Sequence, residues 1–135
     1  MFKLLAFLTV SLMAASANAE IFYCNFNEPM LTIALDTETG SVKWTDAYRS
    51  EFATTVETVV VSDRAVGAGF WRNDNYYRLA MDLTTWGTVK GSNYLYPVYG
   101  ELHDFWVDDL GIYHSLVGGC YSAERPRMCN YPHCY

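Results

Sequence analysis

Basic residues are scarce. Nine Lys and Arg stand against 15 Asp and Glu, a net charge of −6. A nucleic-acid binder needs a basic footprint to displace counter-ions from phosphates, so the balance argues against that class. Charge of either sign is thin, at 18%, while 51% of the residues are hydrophobic. A chain this apolar is not a disordered tail. With 135 residues it is too short for two large domains or for a barrel of about 250 residues. Internal repeats, low-complexity tracts and linkers are lacking before residue 122. A Gly-x-Ser-x-Gly elbow is lacking too, so any Ser–His–acid triad would have to be assembled by folding alone. Gly67-Ala68-Gly69 is too short for a phosphate cradle and reads as a bulge or bend opening a strand.

What is present begins with an address. Lys3 gives a positive start, Leu4 to Ala15 is apolar, and Ala17-Asn18-Ala19 has the small-x-small form of a cleavage site. Residues 1–19 are therefore expected to be a secretory signal, cleaved before Glu20. The apolar run is too short to span a bilayer core of about 30 Å. Nothing after Glu20 is apolar enough to do so, and no membrane span is expected in the mature chain. The expected location is periplasmic or secreted.

Cysteines number four, Cys24, Cys120, Cys129 and Cys134, and all lie beyond the cleavage site. An even count in an exported chain reads as disulfides. Three pairings are open. The favoured one is Cys24–Cys120, tying the first strand to the last, with Cys129–Cys134 stapling the tail. On the loop-entropy model these contribute about 4 to 5 and about 2 kcal/mol. Metal is the rival reading, since His133 sits between Cys129 and Cys134. The spacing is looser than zinc pairs, and exported thiols oxidise. No metal or other cofactor is expected.

The remaining grammar is β. Leu31, Ile33 and Leu35 alternate with polar or small residues. A turn at Asp36–Gly40 follows, then Val42 and Trp44 alternate again. This predicts a hairpin. Thr54 to Ser62 is rich in β-branched residues, Ala68 to Arg72 reads as a strand, and Asn73–Asn75 as its turn. Tyr77, Leu79, Met81 and Leu83 face one way, and Trp86 to Lys90 suits a short strand. Val98 to Val107 and Ile112 to Cys120 form a second hairpin around Asp108–Gly111. One or two helical turns are read over Ala47 to Thr54. The expectation is an all-β domain over residues 20–121, a small antiparallel barrel or sandwich of about seven to eight strands. Residues 122–135 form a disulfide-stapled tail.

Candidate site residues are few. His103 and His114 lie on the two arms of the last hairpin. A two-residue loop at Asp109-Leu110 would set Phe105 opposite His114 and bring the histidines within about 7 to 8 Å on one face. A three-residue loop would separate them. Asp108 and Asp109 read as turn residues bonding to backbone, not as a glycosidase pair. No catalytic residue is assigned. The aromatic content is 16%, with 11 Tyr. Tyrosine joins apolar area to a polar tip, which suits recognition patches. Tyr94, Tyr96 and Tyr99 are the candidates for a binding face, with Asn93–Pro97 read as a loop.

Two segments carry a resemblance. Cys24–Met30 resembles the G-x-E-P-F-W opening of a family of small exported bacterial proteins of unknown function, with Met30 where that pattern has an aromatic. Tyr96-Pro97 and Leu116–Cys120 resemble its later Y-P and L-x-G-C elements. The spread is also similar to the small β-barrel inhibitors of c-type lysozyme from bacterial periplasms. Val66–Gly69 is the nearest counterpart of the inhibitors' Ser-Gly-rich loop, and no inhibitory residue carries over. The resemblance implies a non-catalytic exported binding protein, inhibitor-like, and an acidic chain would be steered to a basic protein partner. The alternatives are a lipocalin-like carrier with a cavity lined by Tyr77, Leu79 and Met81, and a hydrolase or metalloenzyme built on His103 and His114.

Overall fold

The computed structural model describes residues 19–27, 30–48, 50–85, 87–88 and 94–129. The signal segment, except Ala19, and the Cys129–Cys134 pairing lie outside the described residues. So do Glu28 and Pro29 of the family-like opening.

Alternation builds the first three strands, β1 (Ile21–Asn27), β2 (Met30–Asp36) and β3 (Ser41–Asp46). Leu31, Ile33, Leu35, Val42 and Trp44 are all buried on one face. Asp36 shapes the turn as expected: its Oδ1 accepts from the amides of Glu38 (2.9 Å) and Thr39 (3.2 Å). The strands β4 (Glu51–Thr55), β5 (Thr58–Val61), β6 (Ala65–Arg72) and β7 (Asn75–Asp82) follow. The helical reading of Ala47–Thr54 does not hold. Asp46 Oδ1 accepts from the amides of Tyr48 (3.0 Å) and Ser50 (2.9 Å), which closes a turn, and from Glu51 the chain pairs with β3. An aspartate that captures backbone amides competes with helix formation. Among the described residues there is no helix at all, hence none long and apolar enough to cross a membrane.

The chain continues through β8 (Gly87–Thr88), β9 (Tyr94–Tyr96), β10 (Val98–Val107), β11 (Tyr113–Tyr121) and β12 (Met128–Cys129). The main sheet is antiparallel and nine-stranded, in the order β4-β3-β2-β1-β11-β10-β7-β6-β5, and it curls into a half-barrel. Its two edge strands are consecutive in the chain. Between them the Val56 amide donates to Gly40 O (2.7 Å) and the Glu57 amide to Gly69 O (2.7 Å). The β-branched run expected at Thr54–Ser62 is thus one extended segment whose first part pairs with β3 and whose second part pairs with β6.

Cys24 stands directly opposite Cys120 across the β1–β11 pair, and the two form a disulfide over a separation of 96 residues. The concave face holds one packed cluster, with Phe22, Ile33, Phe70, Leu79 and Leu102 fully buried. Each such side chain contributes about 1.5–3 kcal/mol relative to exposure.

The second sheet is small, with β9 between β12 and β8. The segment read as a loop at Asn93–Pro97 is therefore a strand over Tyr94–Tyr96. The signal that it pairs lies in Gly87–Thr88 and Met128–Cys129, on either side of it in space. The described part of the tail docks back on the start of the chain. Ser122 Oγ donates to Glu20 Oε2 (2.7 Å), and Arg125 Nε lies 3.4 Å from the same oxygen.

Candidate functional site

The last hairpin outgrows the barrel. Strand β7 accompanies β10 only as far as His103, which pairs with Arg78. Beyond that point β10 and β11 have only each other. Trp106 and Val107 are chain neighbours on opposite faces of the strand, yet Trp106 is 49% exposed and Val107 is exposed as well. At the end stand exposed Ile112 and Tyr113 and an 84% exposed Leu110. Both faces of this arm therefore meet solvent.

Its turn is built by Asp108. The Asp108 amide donates to Ile112 O (2.9 Å), leaving a three-residue loop in which Gly111 takes φ 78°. Glycine enters that left-handed region without steric penalty. Asp108 Oδ1 accepts from the amides of Leu110 (2.8 Å) and Ile112 (3.0 Å), and Oδ2 meets His114 Nε2 at 2.8 Å. His114 in turn stacks on Trp106, with ring centroids 4.2 Å apart and planes 14° from parallel. The histidine bond, then the Ile112 amide, hold the Asp108 carboxyl below its ordinary range. An exposed hairpin is marginal by itself in water, and this network gives it a defined end.

A bulge sets the arm's root. Leu102 pairs with Leu116 and Trp106 with His114, so His103, Asp104 and Phe105 together face Ser115. Asp104 takes φ 55° and lies 3.7 Å from Arg78. The bulge turns Phe105 toward the barrel mouth, where its ring stacks on Trp44 at 6.0 Å. Re-aiming a side chain is a common role for bulges.

The candidate residues separate in space. His103 lies 3.7 Å from Glu101, while His114 serves the arm's turn. The three-residue loop rules out the Phe105–His114 pairing, because Trp106 takes that place. Among the described residues no three His, Cys, Asp or Glu gather closely enough to hold a metal ion. Tyr96 is only 4% exposed. Its ring packs against Gly119, and a Cβ at that glycine would fall inside the ring's contact distance. Asn25 Nδ2 donates to its hydroxyl (3.4 Å). Tyr99 is exposed on β10, and Tyr94 lies in β9. Val66–Gly69, the counterpart of the inhibitors' loop, is paired strand in β6. Tyr77, Leu79 and Met81, the expected lining of a carrier's cavity, are buried in the core cluster, and of these Tyr77 also borders a hollow at the barrel mouth. The only sequence signal for the exposed Leu110 and Ile112 is their place in and just after the Asp108–Gly111 turn.

No family model matches the chain, and no curated protein or solved structure matches it.

Proposed function

We propose that this is an exported, non-catalytic binding protein that engages a basic protein partner through the β10–β11 arm, in the manner of the periplasmic lysozyme inhibitors it resembles. The observation that carries the reading is the exposure of apolar side chains on both faces of the arm, at Trp106, Val107, Leu110, Ile112 and Tyr113. Large apolar side chains exposed together at one end of a molecule mark interaction sites, and tryptophan and tyrosine are enriched among interface hot spots. Acids surround it: Glu101 and Asp104 at the root, Asp108 and Asp109 at the tip. With the net charge of −6, they favour a cationic surface and raise the rate of encounter. The Cys24–Cys120 disulfide supports an oxidising compartment.

The test is binding and inhibition of a c-type lysozyme by the wild-type protein and by Trp106→Ala and Leu110→Ser. The expected result is saturable binding that falls with added salt and weakens about tenfold or more in each arm variant. Equal affinity of wild type and both variants would remove the arm from the interface. Absence of saturable binding to lysozyme and to other basic proteins would remove the partner class.

A further inference from the structure

A second candidate surface lies at the barrel mouth, where the sheet's edges part. Strand β6 outruns β5: Thr58 pairs with Gly69, and Phe70 to Arg72 continue with β7 alone. Arg72 thus ends β6 in the gap facing β3 and β4. Its guanidinium carbon lies 4.7 Å from the Trp44 ring centroid and 5.8 Å from that of Phe52. Two aromatic faces attract the cation and explain why an arginine is tolerated there. They do not satisfy its N–H groups. Arg72 Nε is buried with no hydrogen-bond partner, and among the described residues no carboxylate lies within ion-pair distance of it. A buried donor left unpaired costs about 1–3 kcal/mol, more when it is charged.

Beside it lies a cavity of about 240 Å³, walled mainly by Met30, Leu31, Trp44, Tyr77 and Phe105. Asp46 also borders it, but its Oδ1 is engaged by the Tyr48 and Ser50 amides. Tyr48 stands among the lining residues, 91% exposed. The combination is an apolar, ring-lined hollow with one cation that has no carboxylate partner among the described residues.

We propose that this cavity binds a small carboxylate with an aromatic body. The carboxylate pairs with the Arg72 fork, and the body lies among Trp44, Tyr77 and Phe105, with Tyr48 closing over it. A planar guanidinium matches a carboxylate in two parallel hydrogen bonds. The size falls just under the usual range of about 300–1,000 Å³ for ligand pockets, which suits a single ring with a short acid chain. A long acyl chain exceeds a hollow of about 240 Å³. The site uses none of the arm's tip and stands whether or not the partner reading holds.

The experiment is calorimetric titration of the disulfide-bonded protein with 3-phenylpropanoate and, separately, with its neutral amide. The acid is expected to bind saturably, and the amide about tenfold or more weakly, since it lacks the charge-assisted bonds. Arg72→Gln, shown folded by circular dichroism, is expected to lose the preference for the acid. Arg72→Lys keeps the charge without the fork and is expected to recover only part of it. Tyr48→Ala is expected to weaken binding severalfold, and Leu110→Ser to leave it unchanged. Should Arg72→Gln not fold, the acid-to-amide ratio on wild type and an acid-specific shift of the Trp44 indole resonance decide. Equal binding of acid and amide, wild-type affinity in folded Arg72→Gln, or no saturable binding of the acid overturns the proposal.

Discussion

His114 Nε2 and Asp108 Oδ2 lie 2.8 Å apart, and this one contact joins strand β11 to the turn that ends the arm. The same carboxylate accepts the amides of Leu110 and Ile112 through its other oxygen. A single acidic side chain therefore sets both the shape of the loop and its attachment to the strand.

That arrangement gives the arm a defined pH response. The Asp108 carboxyl is held below its ordinary range, first by His114 and then by the Ile112 amide. A depressed carboxyl favours the folded arm fully above the ordinary carboxylate value of about 3.9 and loses that contribution as pH falls through the lowered value. NMR shifts of the Leu110 and Ile112 amides are expected to move together in that acid window. In Asp108→Asn the concerted step should vanish. An unchanged acid titration in that variant would assign the step to another group.

Removing the Cys24–Cys120 bond should be costly. It closes a loop of 96 residues' separation, for which the chain-entropy model gives about 4 to 5 kcal/mol. Urea unfolding of the double variant Cys24→Ala/Cys120→Ala is expected to show a loss of that order. A loss below about 1 kcal/mol would mean that the unfolded chain is already compact.

Two glycines should respond in opposite ways to the same change. At Gly119 a Cβ would collide with the Tyr96 ring, so Gly119→Ala is expected to destabilise by about 1–3 kcal/mol. At Gly67 nothing lies within 4 Å of the added carbon. Gly67→Ala is expected to be neutral or to stabilise by about 0.5 kcal/mol through the unfolded chain. Thermal unfolding of both checks the contrast, and equal effects would contradict the packing at Tyr96.

Leu79 and Leu110 separate folding from recognition. Leu79 is fully buried and Leu110 is exposed. Leu79→Ala is expected to cost about 2–5 kcal/mol. Leu110→Ser should stay within about 0.5 kcal/mol of wild type in stability while weakening partner binding. Denaturant midpoints set beside lysozyme binding measure both; a marked stability loss in Leu110→Ser would show that the arm packs on the barrel.

The sequence by itself determined the local pieces. The period of two at Leu31–Leu35 and at Tyr77–Met81, the turn residues at Asp36–Gly40 and Asp108–Gly111, and the Cys24–Cys120 pair all read correctly, the first two because each depends on neighbours along the chain, the last because the two cysteines open and close the β run. Tertiary structure decided the rest. Whether Tyr96 faced solvent depended on Gly119, 23 positions away in sequence. Whether His103 met His114 depended on the length of the loop after Asp108, three residues and not two, and one residue of register turns a side chain to the other face. The Arg72 cavity draws on Leu31, Trp44, Tyr77 and Phe105, four separate strands, and only closure of the sheet brings them together. Alternation fixes which way a side chain leaves its own strand; what it meets there is set by pairings between distant segments.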